Sequence, residues 1–144
     1  MQLSKSVKVI RAANAAAVGT ANVTGSVIDM SDYDGVMLVA HFGAVTDGTP
    51  TLKAQGGAQS NGSDAADLAG TGSGPAASNN VLVLDLFRPT QRYITPVVVR
   101  GGATGCVLNS IVAIQYSARN KPTINDATTV SDTHSLVSPA LGTP

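Results

Sequence analysis

Three runs of β-branched and aliphatic residues, VLVLDLF at 81–87, YITPVVVR at 93–100 and VLNSIVAIQY at 107–116, follow one another with only Pro- or Gly-containing turns between them. Val, Ile and Thr lose little by being held on a pleated surface, so runs of this length bounded by turn residues read as strands. Four weaker runs precede them. Residues 7–12 (VKVIRA) alternate apolar and polar, 27–30 form a short apolar piece, 36–42 (VMLVAHF) are apolar on both faces, and 51–55 complete the set. About seven short strands predict an all-β chain, an antiparallel β-sandwich or jelly-roll-like single domain.

Local signals refine this outline. The doubly apolar 36–42 run predicts a strand covered on both sides, by a second sheet on one and by a subunit or loop on the other. Asp47-Gly48 lies between that run and 51–55 and predicts a hairpin joining them. Pro96 has no N–H for a ladder, which places its strand at an edge or at a bulge. Residues 56–80 are Gly-, Ser-, Asn- and Ala-rich and too long for a tight turn. Within this surface excursion Ser63 caps one or two expected helical turns that Gly70 and Gly72 end. Residues 13–24 show no period and are expected as a helical turn or as an arm lying on a neighbour. The expected organisation is therefore an N-terminal strand and arm at 1–24, a sandwich core at 25–116 and an extended C-terminal tail at 117–144. A Ser-, Thr- and Pro-rich tail takes order only from something that holds it, and a partner's surface is the expected holder.

Charge narrows the function classes. Nine basic and nine acidic residues cancel, and every acidic residue is Asp. Without Glu to coat solvated helices, long exposed helices are disfavoured. A neutral chain gains little from counterion release, so no nucleic-acid partner is expected. Low charge with 43% hydrophobic residues suits a member of an assembly better than a free monomer. Arg11 and Asn14 interrupt the Ala-rich stretch near the N-terminus, so no cleaved leader is expected there. Nor does any run approach the length of a membrane-spanning helix, and no membrane partner is expected.

Candidate chemistry is sparse. Cys106 sits in an apolar stretch and reads as a small core residue. His41 lies in an apolar run, within or beside the core, and His134 lies in the tail; neither has a Cys or acid at ligand spacing. Asp29, Asp32 and Asp34 with Gly35 imitate part of a calcium loop but lack the Glu that closes one, and Asp34-Gly35 reads better as a turn. No GxSxG, SxxK, HExxH or phosphate loop occurs. No catalytic residue, metal ligand or cofactor is assigned, and no enzyme activity is expected. Five aromatic residues, none of them Trp, argue against carbohydrate or single-strand nucleic-acid stacking platforms. Tyr33, Tyr93 and Tyr116 are expected as strand-end or core anchors.

Arg88 and Arg92 flank the Pro89 turn and Tyr93 follows directly. Arg and Tyr combine apolar area with directional hydrogen bonds and are the residue types that concentrate binding energy at interfaces. Arg88, Arg92 and Tyr93, with Arg119, Lys121 and Pro122 at the base of the tail, are therefore the candidate partner contacts. The competing reading of Arg88 is a local pair with Asp85 in an ordinary turn.

Three segments, TLKAQGGAQSNGSDAADLAGT, VLVLDLFRPTQRYITPVVVRG and SIVAIQYSARNKP, together spanning residues 51–122, resemble small tailed-bacteriophage virion proteins of the capsid decoration, or cement, type. Their most distinctive feature is a strand ending in Asp-x-Phe-Arg-Pro, then Arg-Tyr and a further strand. The resemblance implies a structural protein on the outer capsid surface, with the major capsid protein and copies of itself, as dimer or trimer, for partners. A head-tail connector or completion protein, or a receptor-binding adhesin module of the virion, is the alternative.

Overall fold

Which side of each run faces inward follows from the period of two along a strand. In the computed structural model, which describes residues 2–137 and 141–142, the strands are β1 (Lys8–Ala13), β2 (Ala16–Gly19), β3 (Val23–Thr24), β4 (Ile28–Asp29), β5 (Tyr33–Val45), β6 (Thr51–Gly57), β7 (Ala66–Asp67), β8 (Val81–Phe87), β9 (Tyr93–Val99) and β10 (Cys106–Ala118). One 3-10 turn, Leu3–Lys5, precedes them. Val36, Leu38, Ala40 and Phe42 of β5 are buried while Met37, Val39 and His41 between them are only half-buried. The inward row meets Leu108, Ile111 and Ala113 of β10, Leu52 and Ala54 of β6, and Ile94 and Val98 of β9 in one cluster.

Two antiparallel sheets enclose that cluster, so the chain is an all-β sandwich. The first runs β1-β10-β5-β8, with β2 also on β10; the second runs β3-β9-β6-β7, with β4 also on β9. β5 and β10 are the long central pair, and the β10 ladder shifts register near Leu108.

Several local expectations are corrected. No hairpin joins β5 to β6: they lie in different sheets. The Asp47 carboxylate instead accepts backbone N–H groups of Ala103, Thr104 and Gly105, at 2.5–3.0 Å, so the Asp-Gly corner grips the β9–β10 loop while the chain crosses between sheets. No helix forms at 63–69. Asp64 caps the N–H groups of Ala58 and Gln59, and Ala66–Asp67 pairs with β6. The strand holding Pro96 is not at an edge, but the register of its outer partner slips by one residue beside it, between the Thr24–Val97 and Ile28–Ile94 pairs. β6 flanks it on one side, while on the other the partner strand breaks between β3 and β4, where no donor from Pro96 is needed.

Residues 13–24 are neither a helical turn nor an arm on a neighbour, because β2 and β3 pair with the chain's own sheets. Buried Arg100 fastens this segment, donating to the carbonyls of Ala17 (2.6 Å), Ala21 (2.7 Å) and Cys106 (3.0 Å). The tail likewise finds its holder within the chain. Thr123 donates its N–H to Lys5 O and its hydroxyl to Val7 O; Asn125 Oδ1 accepts from Val9 N–H at 2.8 Å, and Thr129 Oγ1 from Arg11 N–H at 3.2 Å. Farther on, Gln2 Nε2 donates to Leu136 O. The tail is thus a strap along the open edge of β1. Its residues 138–140 and 143–144, like Met1 of the expected N-terminal arm, lie outside the described residues.

Candidate interaction site

At one end of the sandwich the start of β5, the β8–β9 turn and the end of β10 converge on an open groove of about 620 Å³, lined by Met30, Tyr33, Asp34, Arg88, Pro89, Arg92 and Arg119 among others. Three of the six sequence-predicted contacts, Arg88, Arg92 and Arg119, therefore share one surface although 31 positions separate the first from the last. Tyr93 borders it, with the Arg92 guanidinium 5.0 Å from its ring centre. Lys121 and Pro122 do not join them. Both are exposed, and Pro122 lines a second groove of about 470 Å³ between the tail and the Leu3–Lys5 turn.

Each arginine is placed differently. Arg92 makes a two-pronged pair with Asp29, Nε to Oδ1 at 3.0 Å and Nη2 to Oδ2 at 2.8 Å, the fork geometry that suits guanidinium to carboxylate. Asp29 also accepts the Ser31 N–H. The Arg92 hydrogen bond, chiefly, holds the Asp29 carboxyl down to about 2. Arg119 is tied by its backbone N–H to Asp32 O, and its side chain stands 3.6 Å from the Asp34 carboxylate. Arg88 makes no ion pair among the described residues. Its backbone adopts φ +52° and donates to Asp34 O, while its guanidinium lies 5.2 Å from the Phe87 ring centre.

Asp85, the alternative partner for Arg88, accepts instead from the Tyr116 hydroxyl at 2.6 Å. Burial and that bond push the Tyr116 phenol up to about 12. The Tyr116 and Phe87 rings lie nearly parallel, 6.4 Å apart, over Gly35, which stands between them in the sheet. Gln115, buried beneath, donates to Asp29 O at 2.7 Å and fixes the turn from which Asp29 reaches Arg92.

Asp29, Gly35 and Gln115 thus shape the site without having been singled out as contacts. Asp29 and Gly35 belong to the string that imitates part of a calcium loop, and the turn expected at Asp34-Gly35 is corrected: both residues lie inside β5, where Gly35 pairs with Phe87 on one side and Tyr116 on the other. Asp29 pairs across 63 positions, and no local pattern encodes that.

The groove offers donors and aromatic faces to a partner's carbonyls and carboxylates. Its one lining carboxylate, Asp34, turns toward Arg119, and Asp29 behind it turns toward Arg92; no group of three or more His, Cys or Asp side chains able to hold a metal occurs among the described residues. Cys106 is fully buried, and burial pushes its thiol up, away from the reactive thiolate. His41 sits beside the core with Nδ1 3.1 Å from Ser110 Oγ, and His134 is exposed 3.2 Å from Asp132. Comparison with known proteins finds no matching family model, curated protein or solved structure.

Proposed function

We propose that this chain is a non-enzymatic structural protein of a tailed-bacteriophage particle, decorating the outer capsid surface and stabilising it by bridging neighbouring major capsid proteins. One observation carries the reading. The most distinctive motif of the resemblance to decoration proteins, Asp-x-Phe-Arg-Pro followed by Arg-Tyr, supplies Asp85, Phe87, Arg88, Pro89, Arg92 and Tyr93, and all six gather at the arginine-lined end of the sandwich. A surface that combines guanidinium donors with aromatic faces suits protein recognition. The chain's neutrality favours a protein partner over packaged nucleic acid.

Contacts of this kind are individually weak, and a subunit touching two or three capsid proteins gains effective concentration once the first is made. Densitometry of purified particles tests the assignment. A decoration protein is present in numbers comparable with the major capsid protein; a copy number limited to a connector ring or fibre tip replaces this reading with the connector or adhesin alternative.

A further inference from the structure

An exposed sheet edge is a row of unpaired N–H and C=O groups, which folded chains blunt by shortness, charge, proline, bulges or a covering segment. Three sides of this sandwich are so treated. The tail covers β1. On the second sheet, β3, β4 and β7 are two residues each, and Asp67 of β7 is held by Lys53. β8 differs. Its seven residues pair with β5 in unbroken register and include no Lys, Pro or Gly; the one charge, Asp85, accepts a hydrogen bond from the Tyr116 hydroxyl of its own sheet.

The bonds at its two ends fix which residues face outward. Asn80 O accepts the Phe42 N–H, and the Arg88 N–H donates to Asp34 O. By the alternation of an antiparallel ladder, Leu82, Leu84 and Leu86 then bond to β5, whereas Val81, Val83, Asp85 and Phe87 present N–H and C=O to the open side. Among the described residues a single long bond, 3.5 Å from the Ser73 hydroxyl to Val83 O, reaches that row. Val81, Val83 and Phe87 are 50%, 48% and 59% exposed. They continue the half-buried row Met37, Val39 and His41 of β5 on the outer face of the sheet.

We propose that β8 is a self-association edge, pairing antiparallel with β8 of a second copy across a two-fold axis at Leu84 and joining the two first sheets into one. The strand is complementary to itself in this register. Hydrogen-bonded pairs form only between outward-facing residues, and an axis at Leu84 engages all seven: Val81 meets Phe87 of the second copy and Val83 meets Asp85. Centring on Asp85 would oppose like charges, which is destabilising. On the inner face Leu82, Leu84 and Leu86, half-buried at the rim of the core, meet Leu86, Leu84 and Leu82 of the second copy. About 23 Å of edge is a small contact, so the dimer is reversible, with a dissociation constant on the order of micromolar. This pairing stands on the edge alone and needs nothing from the virion reading.

Sedimentation velocity of the full chain from about 1 to 200 μM brackets that range. The wild type passes from monomer to dimer. Val83→Asp sets a carboxylate directly opposite Asp85 of the second copy, and Val83→Pro removes an outward N–H while leaving the β5 ladder intact; each raises the dissociation constant at least ~tenfold with the circular dichroism spectrum unchanged. Under mild oxidation Leu84→Cys gives a disulfide-linked dimer, because facing residues of a non-hydrogen-bonded pair lie ~4.5 Å apart, and Ile124→Cys on the tail does not. A wild type monomeric throughout, association untouched by both Val83 variants, or no preference for the Leu84→Cys link would each overturn the proposal. The virion reading would survive any of these, just as a dimer absent from particles would overturn that reading alone.

Discussion

A methyl group on Gly35 would run into the Tyr116 ring. That ring lies over the glycine because its hydroxyl is drawn to Asp85 on β8, two strands away. Gly35→Ala therefore displaces Tyr116, frees Asp85 and disturbs the Phe87 and Arg88 side of the groove. The expected cost is about 1–3 kcal/mol of unfolding free energy, the range for overfilling a packed position, measurable by urea denaturation. Arg92 and Asp29 are held by charge, and both lie largely in water, so their pair steers the groove more than it stabilises the fold. Its pH dependence has a definite sign. Asp29 is lowered from 3.8 to about 2 in the folded chain, so its contribution is complete above about 4 and is lost as pH falls toward 2. The Arg92 Nε–H resonance should stay in its bound position from pH 7 to about pH 4 and move only below that. Asp29→Asn should shift it at every pH; a resonance indifferent to Asp29→Asn would show that the pair does not persist in solution.

Among the elements, the tail and β1 carry the clearest consequence. Thr123, Asn125 and Thr129 satisfy the outward groups of Val7, Val9 and Arg11 with side-chain oxygens, sealing an edge without adding a strand. Deleting residues 123–144 leaves the core cluster intact, since none of its members lies there. It also opens a second sheet edge. The truncated chain should keep its strand spectrum while forming higher assemblies, visible by light scattering at concentrations where the full chain forms none; a truncation no more aggregation-prone than the parent would mean that the strap does not guard β1. How legible each element was follows the same division between local and distant bonds. β8, β9 and β10 were readable because β-branched runs and Pro or Gly turns are local information. The β5–β6 hairpin was misread because Asp47-Gly48 is a local turn signal, whereas Asp47 bonds more than 50 positions away, at residues 103–105. The tail carries no period because its order comes from oxygens matched to β1, not from packing. Half of the candidate contacts came together because Arg88 and Arg92 bracket one turn and β10 delivers Arg119 beside them. Lys121 and Pro122 fall away once the chain leaves β10 for the strap.

At the scale of the whole molecule, a neutral sandwich presents an arginine and aromatic groove at one end, a covered edge at β1 and, among the described residues, an open edge at β8. The proposed role assigns the groove to capsid subunits and the β8 edge to a second copy, so one dimer would offer two grooves to a lattice. Bridging of this kind resists the outward pressure of a filled particle only if several contacts act together. Thermal rupture of particles, followed by release of encapsidated DNA to an external dye, tests it most directly. Particles lacking the chain should rupture at a lower temperature than the wild type. Adding back purified protein should restore the higher value, and adding back a variant carrying Arg88→Ala and Arg119→Ala should not. Equal rupture temperatures with and without the chain would contradict the account.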